Sequence, residues 1–328
     1  MSVLCRIRAA RLACAAAIAV LGALALAPGA GAAKIGGTYL ALGDSLAYGF
    51  HEALFEEELA KGEGICVIGK CIKPGTFDHS YVDDFGAILR LFRPDLEVIN
   101  DGCPGETAET LINGPSMFTN LACAGGPGES LFPLAWLHHP YARSPNGSQL
   151  SDALAILAEN PHVSPITLDI GGNDLTDFLG RECGFPQAFT CTEERVRGEI
   201  AQIAANVYWI LTQLRSAASK AQIVLIGLYN PYPTVIGTAG TGDRFVAAFN
   251  AAQAAVAAKV PGTRFANPEP PFNPSLLTGA PEASDLRTIC LLTGMCPGGT
   301  FDVAGDFHPS NYGYRVIAGV LALAFFKR

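Results

Sequence analysis

Tyr39-Leu40-Ala41-Leu42-Gly43-Asp44-Ser45-Leu46-Ala47-Tyr48-Gly49 is the stretch from which the fold is read. Tyr39 to Leu42 is a short apolar run of the kind a strand buried on both faces requires. It stops at a glycine, an acid and a hydroxyl. A strand that ends in a glycine turn and delivers a serine at its carboxyl end is how an open α/β sheet presents a nucleophile. The pattern is not Gly-x-Ser-x-Gly, because Ala47 occupies the second glycine position. Alone, Gly43-Asp44-Ser45 reads equally well as an ordinary turn, so its weight depends on what ends the other strands.

Four further strands follow. Leu96 to Asn100 ends in Asp101-Gly102-Cys103-Pro104-Gly105, and Pro165 to Ile170 ends in Gly171-Gly172-Asn173-Asp174. Ile223 to Leu228 is a near-continuous apolar run, and Thr263 to Ala266 is shorter. Between them lie helical patterns at 79–92, 150–160, 193–214 and 243–260, with Thr192 placed to cap the third and Glu193 and Glu194 in its first turn. Glu52 to Lys61 is acidic and helix-prone, 62–76 reads as a Gly/Cys/Pro-rich loop, and Tyr312 onward as the last helix. Strands alternating with helices predict a mostly parallel five-stranded sheet in a three-layer α/β/α sandwich, flavodoxin-like in order. The 113–148 connection is long and rich in Gly and Pro; its Phe118, Leu131, Phe132, Leu134 and Trp136 form a candidate apolar wall for acyl chains.

The first 33 residues read as a signal peptide: Arg6, Arg8 and Arg11 without an acid, an apolar stretch from Leu12 to Ala27, then Ala30-Gly31-Ala32. Residues 34–328 are expected to form one domain. Without the leader, 19 basic residues face 30 acidic ones, a formal charge of −11. That balance disfavours nucleic acid and anionic membrane surfaces as partners. No later segment is long enough for stable membrane insertion; the apolar Val316 to Phe326 reads as a packed helix. Eight cysteines remain, and an even number in an exported chain reads as disulfides. Spacing favours local pairs: Cys66–Cys71, Cys103–Cys123, Cys183–Cys191 and Cys290–Cys296. A zinc site is disfavoured, since Cys-x-x-Cys is absent and the adjacent His138 and His139 do not easily share one metal.

The first three strands of such a sheet are neighbours, so the polar clusters at their carboxyl ends meet at the switch point. Acyl transfer from Ser45 needs a base and donors for the developing oxyanion. The backbone N–H groups of Ser45 and Gly105 and the Asn173 amide supply three donors. Of six histidines, His308 stands in a short polar turn stiffened by Pro309, directly before the last helix, and is the expected base. The remaining five read as loop or surface residues, with His138 and His139 as candidate substrate contacts.

Gly43-Asp44-Ser45-Leu46, Asn100 with Gly105, Gly171-Gly172-Asn173-Asp174 and His308-Pro309 together resemble the four ordered blocks of the GDSL, or SGNH, hydrolases. The resemblance implies a serine esterase or lipase without cofactor. Ser45 would be the nucleophile, His308 the base, and Ser45, Gly105 and Asn173 the oxyanion hole. Its substrate would be a small-molecule or lipid ester. A carbohydrate O-deacetylase, or a secreted binding protein without turnover, are the alternatives. The chain departs from the family pattern at Gly305, where an acid is usual. Asp306 is the nominal third member of the triad, with the Gly305 carbonyl as the competing partner for His308. Oligomeric state is left open by the sequence.

Overall fold

A computed structural model describes residues 35–67, 70–72, 77, 79–114, 147–185, 189–233, 241–275 and 282–327. The leader expected at 1–33, the apolar wall expected at 118–136, His138, His139 and Cys123 lie outside the described residues.

Nine strands occur among the described residues: β1 (Thr38–Gly43), β2 (Ile65–Val67), β3 (Lys70–Ile72), β4 (Glu97–Asn100), β5 (Val163–Asp169), β6 (Ile223–Ile226), β7 (Thr263–Ala266), β8 (Thr293–Gly294) and β9 (Asp306–Pro309). Five of them form the central sheet in the order β4-β1-β5-β6-β7. Every neighbouring pair in it is parallel. The expected order is therefore found, with β1 in the interior and all carboxyl ends on one edge.

Side chains alternate across this sheet, as the two-residue period of a strand dictates. Leu40 and Leu42 of β1, Ile166 and Leu168 of β5, and Ile223 and Leu225 of β6 enter one core. That core is completed by helices Gln149–Glu159, Gly172–Cys183, Glu193–Ala217 and Thr241–Lys259. Tyr39, Ala41, Val224 and Ile226 point to the opposite face and meet helices Tyr81–Arg90 and Asn311–Phe326. In the last helix Tyr314, Ile317, Ala318, Leu321 and Phe325 are buried at helical spacing. Each large apolar side chain so buried contributes about 1.5–3 kcal/mol, which fixes this helix as a core element. Among the described residues no helix is long and apolar enough to cross a membrane.

The cap expected at Thr192 is found. The Thr192 hydroxyl accepts the Arg195 backbone N–H at the start of Glu193–Ala217. Ser80 and Asp83 form a reciprocal capping box at the start of Tyr81–Arg90.

Three elements differ from the sequence reading. The region read as a loop at 62–76 contains a two-stranded antiparallel hairpin, β2 with β3, in which Cys66 and Cys71 are backbone register partners. Their side chains lie outside what is described. Gly171–Asp174 is not a free turn but the start of the twelve-residue helix Gly172–Cys183. The polar turn around His308 is a strand, β9, paired antiparallel with β8. The disulfides Cys183–Cys191 and Cys290–Cys296 are formed. Cys103 is disulfide-bonded as well.

Candidate active site

At the carboxyl end of β1 the backbone is held from both sides. The Gly43 N–H donates to Gln149 Oε1 at 2.6 Å, and Gln149 Nε2 donates to the Gly43 carbonyl at 2.9 Å. Gly43 has φ +147°, and a Cβ there would lie 2.1 Å from Asp169 Oδ1, so only glycine fits the turn. Asp44 follows as the cap of the short helix Ser45–Tyr48, its carboxylate accepting the Leu46 N–H at 3.0 Å. Ser45 is the first helical residue and is buried.

His308 reaches Ser45 from the other end of the chain. Its Nε2 lies 2.9 Å from Ser45 Oγ, and its Nδ1 lies 2.6 Å from Asp306 Oδ1. A carboxylate on Nδ1 fixes the proton there, which leaves Nε2 to accept from the serine hydroxyl. Asp306 and His308 are two apart on β9, and the extended backbone puts both side chains on one face. The side chain of Asp306 thus meets Nδ1 despite the unusual spacing.

Asp306 also accepts the His308 backbone N–H at 3.0 Å and the Glu52 N–H at 2.9 Å. Burial alone pushes its carboxyl up. The His308 ring, through its hydrogen bond and charge, and the two backbone donors outweigh burial and hold it below the ordinary carboxylate value. The imidazole is itself clamped. The Phe307 ring stacks on it with centroids 4.4 Å apart, and Phe50 meets it edge-on at 4.8 Å. The Tyr229 hydroxyl donates to the Phe307 carbonyl at 2.6 Å, anchoring β9 to the segment after β6.

The polar ends of β4 and β5 lie on either side of β1. At the end of β4, Asn100 Nδ2 donates to the Ala47 carbonyl at 2.7 Å, and its Oδ1 accepts the Gly102 N–H at 3.0 Å. That ties the β4 turn to the Ser45 helix. Gly105 sits in the same turn and is exposed. After β5, Gly171 has φ +99°, and a Cβ would come 2.7 Å from Ile203, so the entry into helix Gly172–Cys183 requires glycine.

Asn173 then lies in the first helical turn, beside Ser45 in the lining of one cavity. One N–H of its amide donates to the Glu106 carbonyl at 2.9 Å; the amide carries a second. Asp174 turns away and accepts the Ala108 N–H at 2.9 Å, joining the two loops. Burial pushes Asp174 up to about 6, against the lowering effect of that N–H.

Behind Ser45 lies a feature that the sequence reading missed. Asp169, the last residue of β5, is 2 % exposed and abuts Asp44. The Tyr81 hydroxyl donates to Asp169 Oδ1, and Tyr39 shares a hydrogen bond with Thr167 next to it. Burial is the main cause that raises both carboxyls, and the neighbouring Asp44 charge raises Asp169 further, well above the ordinary range. The signal was present: Asp169 is the lone acid in a strand that is buried throughout.

Residues 41–316 match the GDSL-like Lipase/Acylhydrolase family, and the chain belongs to that family of esterase- and lipase-type hydrolases. No curated protein matches the sequence. Among solved structures, a protein from Parabacteroides merdae described as a GDSL-like lipase is 13 % identical, with a TM-score of 0.51 over 89 % of this chain and 96 % of that one. It shares the fold. The lipase Lip_vut3 from a goat rumen metagenome is 16 % identical at a TM-score of 0.49, over 89 % of this chain and 98 % of that one. An extracellular lipase from Streptomyces rimosus is 18 % identical at a TM-score of 0.44, over 88 % and 99 %.

Proposed function

We propose that this protein is an exported serine hydrolase that cleaves carboxylic esters through an acyl-enzyme on Ser45. The observation that carries the reading is the hydrogen-bonded chain Ser45–His308–Asp306 at the end of β1. Ser45 Oγ attacks the ester carbonyl while His308 Nε2 takes its proton. Asp306 holds the tautomer and stabilises the imidazolium, and His308 then returns the proton to the leaving alcohol. Water repeats the sequence and releases the acid. Charge developing on the carbonyl oxygen is met by the N–H groups of Ser45 and Gly105 and the free amide hydrogen of Asn173. The three-part leader at 1–33 and the disulfides support export.

Ser45→Ala should abolish turnover of p-nitrophenyl esters and labelling by a fluorophosphonate, with folding and secretion intact. Near-normal turnover by a folded Ser45→Ala protein would remove Ser45 from the mechanism. Asn173→Ala should lower kcat by about 10²–10³, the cost of deleting one oxyanion donor. A loss of Tm with kcat unchanged would reduce Asn173 to a turn residue.

A further inference from the structure

Beside Ser45 and Asn173 lies a cavity of about 110 Å³, partly open to solvent. Its walls include Leu175 and Leu179, one turn apart on helix Gly172–Cys183. Leu228 follows β6, and Phe245 and Val246 come from helix Thr241–Lys259. Phe185 is a further wall residue. The lining is predominantly apolar, which favours hydrocarbon over a carbohydrate ring with its full set of hydroxyls.

Phe185 is fixed locally. It lies two residues past Cys183, whose disulfide to Cys191 closes the segment, and its N–H donates to the Leu179 carbonyl at 3.0 Å. The Thr190 N–H donates to the Cys183 carbonyl at 3.0 Å, tightening the same closure. Phe185 packs edge-on against Tyr232 at 5.1 Å, and Phe189 packs against Phe245 at 5.3 Å. This wall is held by a covalent bond and by aromatic contacts, not by the sheet.

We propose that this cavity is the acyl-chain subsite and that the disulfide-anchored Phe185 limits its depth. The inference rests on the ester-hydrolase reading and deepens it. A six-carbon benzene ring fills an engineered apolar cavity of about 150 Å³, so 110 Å³ sets the preferred unbranched acyl chain at about four to six carbons. An acetyl group leaves the cavity unfilled. A long chain has to leave its tail outside.

The test is a kcat/KM profile of the full-length secreted protein on p-nitrophenyl acetate, butanoate, hexanoate and decanoate. Each methylene taken into the cavity is worth roughly fourfold in kcat/KM, so the profile should peak at butanoate or hexanoate. Val246→Phe fills the cavity and should lower the hexanoate-to-acetate ratio by about tenfold or more. Phe185→Ala deepens it and should move the optimum toward decanoate. The two variants act in opposite directions, so misfolding of one leaves the other decisive. A wild-type optimum at acetate, or a folded variant that changes all four esters in equal proportion, would overturn the subsite. Failure of the wild type to cleave any ester or to take the fluorophosphonate would instead sink the hydrolase reading, and the subsite with it.

Discussion

Asp306 lies on one side of Ser45 and the Asp44–Asp169 pair on the other, all three carboxyls largely removed from solvent. Their surroundings drive them apart. Asp306 faces donors only: the His308 ring and two backbone N–H groups. Its carboxyl stays ionised below the ordinary range, ready to stabilise an imidazolium. Asp44 and Asp169 face each other, and burial raises both. Like charges in contact cannot both ionise cheaply, which disfavours the doubly ionised pair. The lesson is that burial does not decide the charge of an acid; the groups filling its hydrogen-bond positions do. It also bears on catalysis, because a pair that shares one proton carries one negative charge behind Ser45 and not two, and so opposes charge on the proposed oxyanion less.

The largest effect is expected where the ionised acid is removed. Asp306→Asn keeps the shape of the side chain but presents the wrong proton arrangement to Nδ1, and kcat should fall by up to about 10⁴ with His308→Ala inactive. Turnover within a few-fold of wild type would erase the contrast at its functional end. It would hand the orienting role to the Gly305 carbonyl.

The second cut is at the protonated pair. Asp169→Asn can still accept from Tyr81 and donate to Asp44, so turnover should fall far less than in Asp306→Asn. Its signature lies in stability against pH. The pair's folded pKa values lie above the unfolded carboxyl value of 3.8, so its contribution is present below about pH 4 and is lost as pH rises. Asp306 has the opposite sign: its contribution is present above the unfolded value and is lost as pH falls through the lowered folded one. Tm of wild type and Asp169→Asn between pH 4 and 9 should therefore diverge, with the variant gaining on wild type as pH rises. Parallel curves would mean that the pair carries no extra proton.

The smallest effect concerns Asp174, pushed up to about 6 by burial. Its contribution is likewise present below the unfolded value and lost as pH rises toward 6. A modest decline of wild-type Tm over that interval should flatten in Asp174→Asn. An unchanged slope would assign the decline elsewhere.

How much of this was legible follows from how local each feature is. The strands β1, β5 and β6 announce themselves as apolar runs, and the parallel order follows from the helices between them. Ser45, Gly105, Asn173 and His308 could be singled out as candidates because each stands at a strand end or before a helix, and the fold brings Ser45 to His308 and Asn173 to the same cavity. The strand state of β9 was not, since it depends on pairing with β8. Without it the facing of Asp306 and His308 stayed open. Helix Gly172–Cys183 was hidden by two glycines that read as a turn, although Gly171 at positive φ is its entry. The cavity draws its lining from several separated segments, and the aromatic residues named from sequence for that role lie outside the described residues. Only the assembled fold brings Leu179, Phe185 and Val246 together.

The Ser45–His308 hydrogen bond joins residues 263 positions apart in the chain. During synthesis Ser45 emerges long before His308, which follows all five strands of the central sheet. The entropy of closing so long a loop is offset only once the intervening sheet has brought the ends together. On the proposed mechanism, competence to hydrolyse esters is therefore a late event in folding: a chain that has not yet brought His308 to Ser45 lacks the base that would activate the serine.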